Sequence, residues 1–272
     1  LYATTDLATI QYRMETWQPD AILYVVDHRQ GEHFQKLFSV ARQWQNPDVE
    51  FSHVSFGTVL GEDGRPFKTR SGQSVGLESL LDEALQKALD VVTSNDESKP
   101  HGAELSPEQR QQVAETVGHG AIKYADLSHN RTSDYVFSYE KMMGLEGNTA
   151  TYIQYSYARV RSIFRRGEVD LEGLRASFAG ISVEHPAERA LAMAVLQLSE
   201  VLESILEDYR PNQLTNYLFE LAKRFSSFFE ACPVLKAETE ALMQSRLLLC
   251  DLTARTIEKG LQLLGIGVVE MM

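Results

Sequence analysis

The sequence predicts an α/β layer followed by an α-helical bundle, and three features of the chain support that fold class. A wholly apolar run at 21–26 and a strand-like stretch at 49–59 flank a helical pattern at 31–45. This β-α-β order is typical of part of a doubly wound sheet, whose parallel strands are buried on both faces. From residue 148 onward, apolar residues recur at helical spacing without a fixed internal repeat. The 272 residues are enough for one to three domains with a sizeable core.

The first part of the chain alternates between predicted helices and strands. Residues 1–18 are expected to run from a loop into a helix that ends before Pro19. Residues 21–26 predict a buried parallel strand, and the helix at 31–45 should bury one face. That face consists of Phe34, Leu37, Phe38 and Ala41. Because ligands of doubly wound sheets bind beyond the carboxyl ends of the strands, residues 27–30 are favoured as part of a site.

The middle of the chain predicts two helices joined by a polar loop. The helices cover 77–92 and 113–127, and the loop covers 93–107. Ser106 is expected to be the N-cap of the second helix, because a proline follows it. A short strand is expected at 135–137. The apolar face of the first helix consists of Leu77, Leu80, Leu81, Ala84, Leu85 and Ala88.

Four helices are predicted in the C-terminal half, at 149–166, 186–208, 213–231 and 235–264. The second of them has the clearest periodicity. Its positions that are expected to face the core are Leu191, Val195, Leu198, Leu202, Ile205 and Leu206. Gly265 and Gly267 are expected to end the last helix, since glycine readily adopts the left-handed conformation that closes a helix.

Composition limits the class of protein. The formal net charge of −12 does not favour a general nucleic-acid binder, and DNA is not an expected partner. No apolar run reaches the length of a membrane span and no secretory signal opens the chain, so a soluble cytoplasmic protein is predicted. Cys232 and Cys250 lack metal-ligand spacing and are expected to be reduced core residues. His28 and His33 are five positions apart, which does not predict a metal site.

A local basic face is nevertheless predicted on the helix at 149–166. The helix interleaves tyrosines with arginines, namely Tyr152, Tyr155, Tyr157, Arg159, Arg161, Arg165 and Arg166. An apolar stripe of Ile153, Tyr157, Val160 and Phe164 would turn some of the arginines to solvent. Arginine and tyrosine together can contact phosphates and stack on unpaired bases. The alternative is an amphipathic helix whose basic face is merely solvated.

A glycine-rich loop at 61–72 is a second candidate site. Its glycines allow a close approach of the backbone, and its free N–H groups with Arg65, Lys68 and Arg70 suit a phosphate. From the residues alone, a solvated hairpin tip with glycine at its turns is an equally good interpretation.

Longer segments carry a resemblance to a known family. Residues 2–13 are YATTDLATIQYR, and residues 147–163 are GNTATYIQYSYARVRSI. Together with the glycine-rich loop, these segments resemble the arginyl-tRNA synthetases, which are class I aminoacyl-tRNA synthetases. The resemblance extends over residues 1–272, with variable patches near 93–112 and 167–187.

The resemblance implies three regions. Residues 1–60 would be the second half of a Rossmann-type catalytic domain. Residues 61–147 would hold the class I "KMSKS"-like loop and a connecting region that contacts the tRNA stem. Residues 148–272 would be an α-helical anticodon-binding domain. No segment resembles the "HIGH" motif of this class, so the chain is expected to be the C-terminal portion of a longer synthetase and to be inactive alone.

Tyr2, Asp6 and Gln30 match the positions that hold the substrate arginine in this family. The chemistry agrees, because a carboxylate such as Asp6 is the natural partner of a planar guanidinium with five donors. The phenol and ring of Tyr2 and the amide of Gln30 would contact other parts of the ligand. The alternative for Asp6 is a helix N-cap, since it follows two threonines and precedes an apolar run.

The resemblance also implies an ATP site with Mg²⁺. His53 and Gly57 match a segment beside the nucleotide, and the alternative is an ordinary strand end. Lys68 and Arg70 match the "KMSKS" loop and would offset charge on the triphosphate during catalysis. This chain departs from the motif, because Pro66 stands at its first lysine position.

The resemblance of the helical half implies that it binds the tRNA anticodon. Candidate base contacts are Tyr152, Tyr155, Arg159 and the chain end at Met272, although tyrosines that merely pack the bundle would look the same in sequence. The segment DLTAR at 251–255 is similar to the "DALR"-type motif of the family.

The expected function is therefore that of an arginine–tRNA ligase. Such an enzyme converts arginine and ATP to arginyl-adenylate, transfers the arginine to the 3′ end of its tRNA and is expected to be a monomer. One alternative is a non-catalytic, synthetase-like helical RNA-binding or scaffold protein. A synthetase of another specificity is a further alternative, against which Asp6 and Gln30 argue.

Overall fold

The computed structural model of the chain describes residues 2–44, 48–61, 63–66, 76–99, 102–177 and 180–272. Contacts divide it into two compact units. The first comprises Leu1–Phe67 with Asn130–Phe137, and the second comprises Lys68–His129 with Ser138–Met272. The boundaries predicted at residues 60 and 147 divide the chain by function rather than by contacts, and they stay predictions.

The first unit is an α/β layer, as predicted. Its elements are α1 (Tyr2–Trp17), β1 (Ala21–Asp27), a 3₁₀ turn (His28–Gln30), α2 (Gly31–Trp44), β2 (Glu50–Phe56), β3 (Val59–Leu60) and β4 (Tyr135–Val136). Strands β1 and β2 are parallel, with a register that runs from Ala21 opposite Glu50 to Asp27 opposite Phe56. Strands β3 and β4 form a second, short parallel pair. The larger core of the unit consists of Ile10, Ile22, Phe34, Leu37, Phe38, Ala41 and Phe51.

The prediction that β1 is buried on both faces was wrong for the described part of the chain. Ile22, Tyr24 and Val26 pack against the core of the unit. The alternate residues Leu23 and Val25 are 42% and 66% exposed. Successive side chains of a strand point to opposite faces, and among the described residues the helices cover only one face of the β1–β2 pair.

The second unit consists mainly of helices. They are α3 (Leu77–Glu97), α4 (Pro107–Ser128), α5 (Tyr139–Met142), α6 (Ala150–Arg166), α7 (Leu171–Ala176), α8 (Pro186–Leu196), α9 (Leu198–Asp208), α10 (Asn212–Ala231) and α11 (Glu240–Leu263). Its main core is formed largely by buried faces of α6, α8, α10 and α11. The predicted stripe of α6 is buried as expected, and none of the helices in the described ranges is long and apolar enough to cross a membrane.

Helix α3 is longer than predicted and continues to Glu97, into the stretch that was expected to be a loop. The reason is Asp96, whose side chain is only 1% exposed and accepts hydrogen bonds from the backbone N–H groups of Glu104 and Leu105. Arg110 on α4 donates to the same carboxylate. The predicted N-cap at Ser106 is confirmed, because Ser106 and Gln109 form a capping box there, but α4 begins at Pro107 rather than at 113.

The helix predicted at 186–208 is in fact two helices, α8 and α9, which meet at Gln197. Leu206, which was expected to face the core, lies on α9 and is 70% exposed. Helix α11 begins at Glu240 rather than near 235, because the hydroxyl of Thr239 caps it by accepting from the N–H of Leu242. Gly265 has a φ of +70° just beyond α11, as predicted for a helix-ending glycine.

Candidate functional site

A cleft with a volume of about 490 Å³ lies in the second unit, along α6. It is lined by Lys99 and Glu104 from the connection between α3 and α4, by Tyr155, Arg159, Arg165 and Arg166 of α6, by Phe229 of α10, by Leu235 and Lys236, and by Met271 and Met272 at the chain end. Five of these side chains are cationic, and two are aromatic. On a chain of net charge −12, this is a local concentration of positive charge next to apolar surface.

Helix α6 turns its basic residues into the cleft because its other face is fixed in the core. The hydroxyl of Thr149 caps the helix by accepting from the N–H of Tyr152 at 3.1 Å. Ile153, Val160 and Phe164 are buried. The helical repeat then leaves Tyr155 40% exposed, with Arg159 four residues further on the same side.

Arg159 is held in place by an aromatic ring. Its guanidinium carbon lies 4.6 Å from the centroid of the Phe229 ring, which is a cation–π arrangement. One guanidinium nitrogen also lies 3.4 Å from the Oγ of Ser226. The side chain is therefore positioned before any ligand binds, and a planar base could stack on it.

The chain end is hydrogen-bonded along α4 and α6. Lys123 donates to the carbonyl of Gly265 at 2.6 Å, and the buried amide of Gln154 donates to that of Gly267 at 2.8 Å. Arg161 pairs with the carboxylate of Glu270 at 2.7 Å, and Arg165 donates to the backbone carbonyl of the same residue. These bonds place Met271 and Met272 in the wall of the cleft.

The structure brings three of the four predicted RNA contacts together. Tyr155, Arg159 and Met272 line the cleft, whereas Tyr152 does not line it and packs edge-on against Phe219 with ring centroids 5.6 Å apart. Sequence reasoning missed Lys99, Phe229 and Lys236. They are distant from α6 in the chain, and no spacing in the sequence relates them to it.

The DLTAR segment has a structural role in the fold. Asp251 is buried and pairs with Arg175 of α7, with nitrogen–oxygen distances of 2.9 and 2.5 Å. These bonds hold α7 against α11. Hydrogen bonding to this carboxylate raises the pKa of the Arg175 guanidinium, which favours its charged form.

The first unit contains the residues that were predicted to hold arginine. Asp6 lies inside α1, which already begins at Tyr2, so the alternative that Asp6 is an N-cap was wrong. An oxygen of Asp6 lies 2.7 Å from the Nε2 of His33 on α2. Tyr2 is one helical turn before Asp6 on the same side of α1 and is 88% exposed. Gln30 is exposed and ends the turn that precedes α2.

The turn that carries Gln30 is fixed by Asp27 at the end of β1. The carboxylate of Asp27 accepts from the backbone N–H of Arg29 at 2.8 Å and from its guanidinium at 2.9 and 2.7 Å. These hydrogen bonds to Arg29 hold the pKa of Asp27 well below its usual range. The turn is thus a firm support for Gln30 at the carboxyl end of a strand, where ligands of such sheets bind.

His53 and Gly57 lie on or just after β2. The Nε2 of His53 is 2.9 Å from the carbonyl oxygen of Val26 on β1. The N–H of Gly57 donates to the carbonyl of Arg131 at 2.7 Å, and a Cβ at Gly57 would lie 2.5 Å from the carbonyl oxygen of Ser133. Close backbone contact therefore explains this glycine by itself, and its predicted contact with adenosine stays a prediction.

The two predicted loop cations, Lys68 and Arg70, lie outside the described residues. The described beginning of the loop is a turn, in which the N–H of Gly64 donates to the carbonyl of Gly61 and Gly64 has a φ of +70°. Within the ranges that the structure describes, no group of three or more His, Cys, Asp or Glu side chains could hold a metal ion.

Comparisons with known proteins agree on one family. The sequence pattern of "tRNA synthetases class I (R), catalytic domain" matches residues 1–139, and that of "DALR anticodon binding domain" matches residues 153–272. The whole chain is 54% identical to the arginine–tRNA ligase of Rhodopirellula baltica and 50% identical to that of Cyanothece sp.. It spans 42% and 46% of those two relatives, less than half of their length.

Solved structures show the same similarity. The arginyl-tRNA synthetase of Plasmodium falciparum superposes with a TM-score of 0.82 at 29% identity, over 98% of this chain and 44% of that one. The arginyl-tRNA synthetase of Thermus thermophilus superposes with a TM-score of 0.77 at 30% identity, over 93% of this chain and 41% of that one.

Proposed function

The chain belongs to the arginyl-tRNA synthetase family of class I tRNA synthetases, and we propose that it takes part in joining arginine to its tRNA. In this reaction arginine is activated by ATP to arginyl-adenylate and is then transferred to the 3′ end of the tRNA. The observation that carries the proposal is the cleft of the second unit, where five cations and two aromatic rings surround one cavity. The enzyme would act in the cytoplasm as a monomer.

The cleft has the chemistry that single-stranded RNA requires. Tyr155 and the Arg159–Phe229 pair offer flat surfaces on which unpaired bases can stack. Arg166 and Lys236 at the cleft can neutralise phosphates. The cleft lies in the part of the chain that matches the anticodon-binding pattern, so we assign the anticodon to it.

The carboxylate of Asp6 would bind the guanidinium of the substrate arginine. His33 already contacts this carboxylate, which fixes its orientation and leaves the outward side of the group for a ligand. Tyr2 projects from the same side of α1, and Gln30 is held on the fixed turn beyond β1. His53, Gly57, Lys68 and Arg70 would serve ATP, with the two cations offsetting charge on the triphosphate.

Titration of the chain with tRNA tests the assignment of the cleft. Arginine-accepting tRNA and a tRNA of another specificity are each titrated at two salt concentrations, and binding is followed by fluorescence anisotropy. Selective binding that weakens with salt is expected, since phosphate neutralisation releases counterions. Absent binding, or equal binding of both tRNAs, would contradict recognition by this cleft.

Replacing Asp6 by asparagine is expected to weaken arginine binding about 10- to 100-fold, because a charge-assisted hydrogen bond is lost at constant side-chain shape. Binding of citrulline, a neutral analogue of the same shape, should change much less. Ligand-observed NMR with the chain measures both ligands even when binding is weak.

Asp20→Asn is the matched control, since it removes the same charge from an exposed residue of the first unit. An equal loss of arginine and citrulline binding in Asp6→Asn, or no loss of either, would contradict the proposed role of Asp6.

A further inference from the structure

The cleft has a second wall, formed by the connection between α3 and α4. Lys99 and Glu104 of this connection face the basic residues of α6, and Glu104 is the only acidic side chain in the described lining. We propose that Glu104 competes with RNA for Lys99. In the free protein the carboxylate of Glu104 pairs with Lys99, and a phosphodiester group replaces that carboxylate when RNA binds. This inference rests on the proposed function, because it assumes that RNA enters the cleft.

Glu104 is held at the cleft by its backbone. Its N–H donates to the buried carboxylate of Asp96 at 3.0 Å, and the next N–H, that of Leu105, donates to the same carboxylate at 3.2 Å. Arg110 of α4 lies 3.0 Å from Asp96. Because these bonds fix the main chain, the side chain of Glu104 can move without any rearrangement of the connection.

Lys99 has two anionic partners that differ in accessibility. Its Nζ lies 3.0 Å from an oxygen of Glu104 and 3.2 Å from an oxygen of Asp96. The side chain of Asp96 is 1% exposed, whereas that of Glu104 is 52% exposed. A phosphate can therefore replace Glu104 as a partner of Lys99, while Asp96 continues to hold the ammonium group at the wall.

The carboxylate of Glu104 interacts electrostatically with cations on both walls of the cleft, Lys99 and Arg165. The hydrogen bond and charge of Lys99 lower the pKa of Glu104, and Arg165 of α6 lowers it further, so this carboxylate is ionised at neutral pH. The negative charge of Glu104, which lies among these cations, repels any phosphate that does not displace it. RNA that fits the cleft displaces Glu104 and pairs with Lys99, whereas RNA that fits poorly is repelled by Glu104 and makes no ion pair with Lys99.

The test is the variant Glu104→Gln, which removes the charge and keeps the backbone anchors. We expect arginine-accepting tRNA to bind about three- to fivefold more tightly at low salt, the size of effect that one exposed ion pair allows. The affinity for the tRNA of another specificity should rise by a larger factor, so that the selectivity for arginine-accepting tRNA falls. For the tRNA of another specificity, the slope of log affinity against log salt should steepen by about 0.7, the value for one further phosphate contact to a single strand, because Lys99 becomes available to it only in the variant.

Two further variants make the result specific. Glu83→Gln removes the same charge from α3 at a residue that does not line the cleft and that pairs with Lys87 at 3.9 Å, so it should leave affinity unchanged. When Lys99 is also replaced by glutamine, Glu104→Gln should increase tRNA affinity less than it does alone, because the ammonium group that Glu104→Gln makes available to RNA is then absent.

The outcomes separate the two proposals. Suppose that the unchanged chain binds tRNA selectively. If Glu104→Gln then changes affinity no more than Glu83→Gln, or raises affinity equally with and without Lys99, the inference about Glu104 is overturned while the proposed function of the cleft stands. If the unchanged chain binds no tRNA, the proposed function of the cleft fails and this inference fails with it.

Discussion

Replacing Arg159 by alanine is expected to weaken binding of arginine-accepting tRNA to this chain about 10- to 100-fold. Removal of one side chain that stacks on a base costs roughly 1–3 kcal/mol, and Arg159 also carries charge. The guanidinium is held 4.6 Å from the Phe229 ring before RNA binds, so little conformational entropy is lost on binding. Fluorescence anisotropy at fixed salt measures the change.

Two variants distinguish a specific contact from a general effect of charge. Arg224→Ala removes an exposed arginine of α10 that does not line the cleft, and it should change affinity by less than about twofold. Arg159→Lys keeps the charge and loses the planar group, so its affinity should lie between those of the unchanged chain and Arg159→Ala. Equal losses in Arg159→Ala and Arg224→Ala would mean that the cleft is not the RNA site.

The Arg159 environment shows how far the sequence could predict this site. The face of α6 was predictable, because the periodicity of Ile153, Val160 and Phe164 fixes which side is buried. The partners of that face were not, because Phe229 and Lys99 reach the cleft through the tertiary packing of other helices. The resemblance added Met272, whose place in the wall depends on hydrogen bonds from the side chains of Lys123 and Gln154 to the carbonyls of Gly265 and Gly267.

The errors in the predicted fold have similar causes. The loop expected at 93–107 was inferred from polar residues, yet Asp96 is one of the most buried side chains in the chain. It is stabilised by N–H groups and by Arg110, which lie 8 to 14 positions further along. Helical periodicity across 186–208 did not reveal the break at Gln197, since both halves keep an amphipathic pattern on their own.

Of the substitutions considered for this chain, Arg246→Met is expected to lower the free energy of unfolding most, by about 3–5 kcal/mol, because it leaves a buried charge unpaired. Glu188 is 1% exposed and accepts from Arg246 at 2.7 Å and from the N–H groups of Glu184 and His185. Urea unfolding followed by far-UV circular dichroism measures the loss. Both tryptophans, Trp17 and Trp44, lie in the first unit, so their fluorescence gives an internal reference.

Lys223→Met is the matched control, because it breaks an ion pair with Glu220 on the surface of α10, where both side chains are about half exposed. Its expected cost is below about 1 kcal/mol. If both variants lost the same stability, the buried pair would contribute no more than a surface pair. An Arg246→Met variant as stable as the unchanged chain would mean that Glu188 takes up a proton at little cost.

The pH dependence of Arg246→Met separates these explanations. Burial disfavours the charged form of Glu188, but the bonds from Arg246 and from the two N–H groups outweigh it and lower the pKa. The carboxylate therefore stabilises the unchanged chain above the pKa of an unfolded glutamate, and this stabilisation is lost as pH falls through the lower folded value. Without Arg246, burial dominates and the pKa of Glu188 should rise. The stability difference between the two chains should then shrink in acid, whereas a difference caused by lost packing alone would not change with pH.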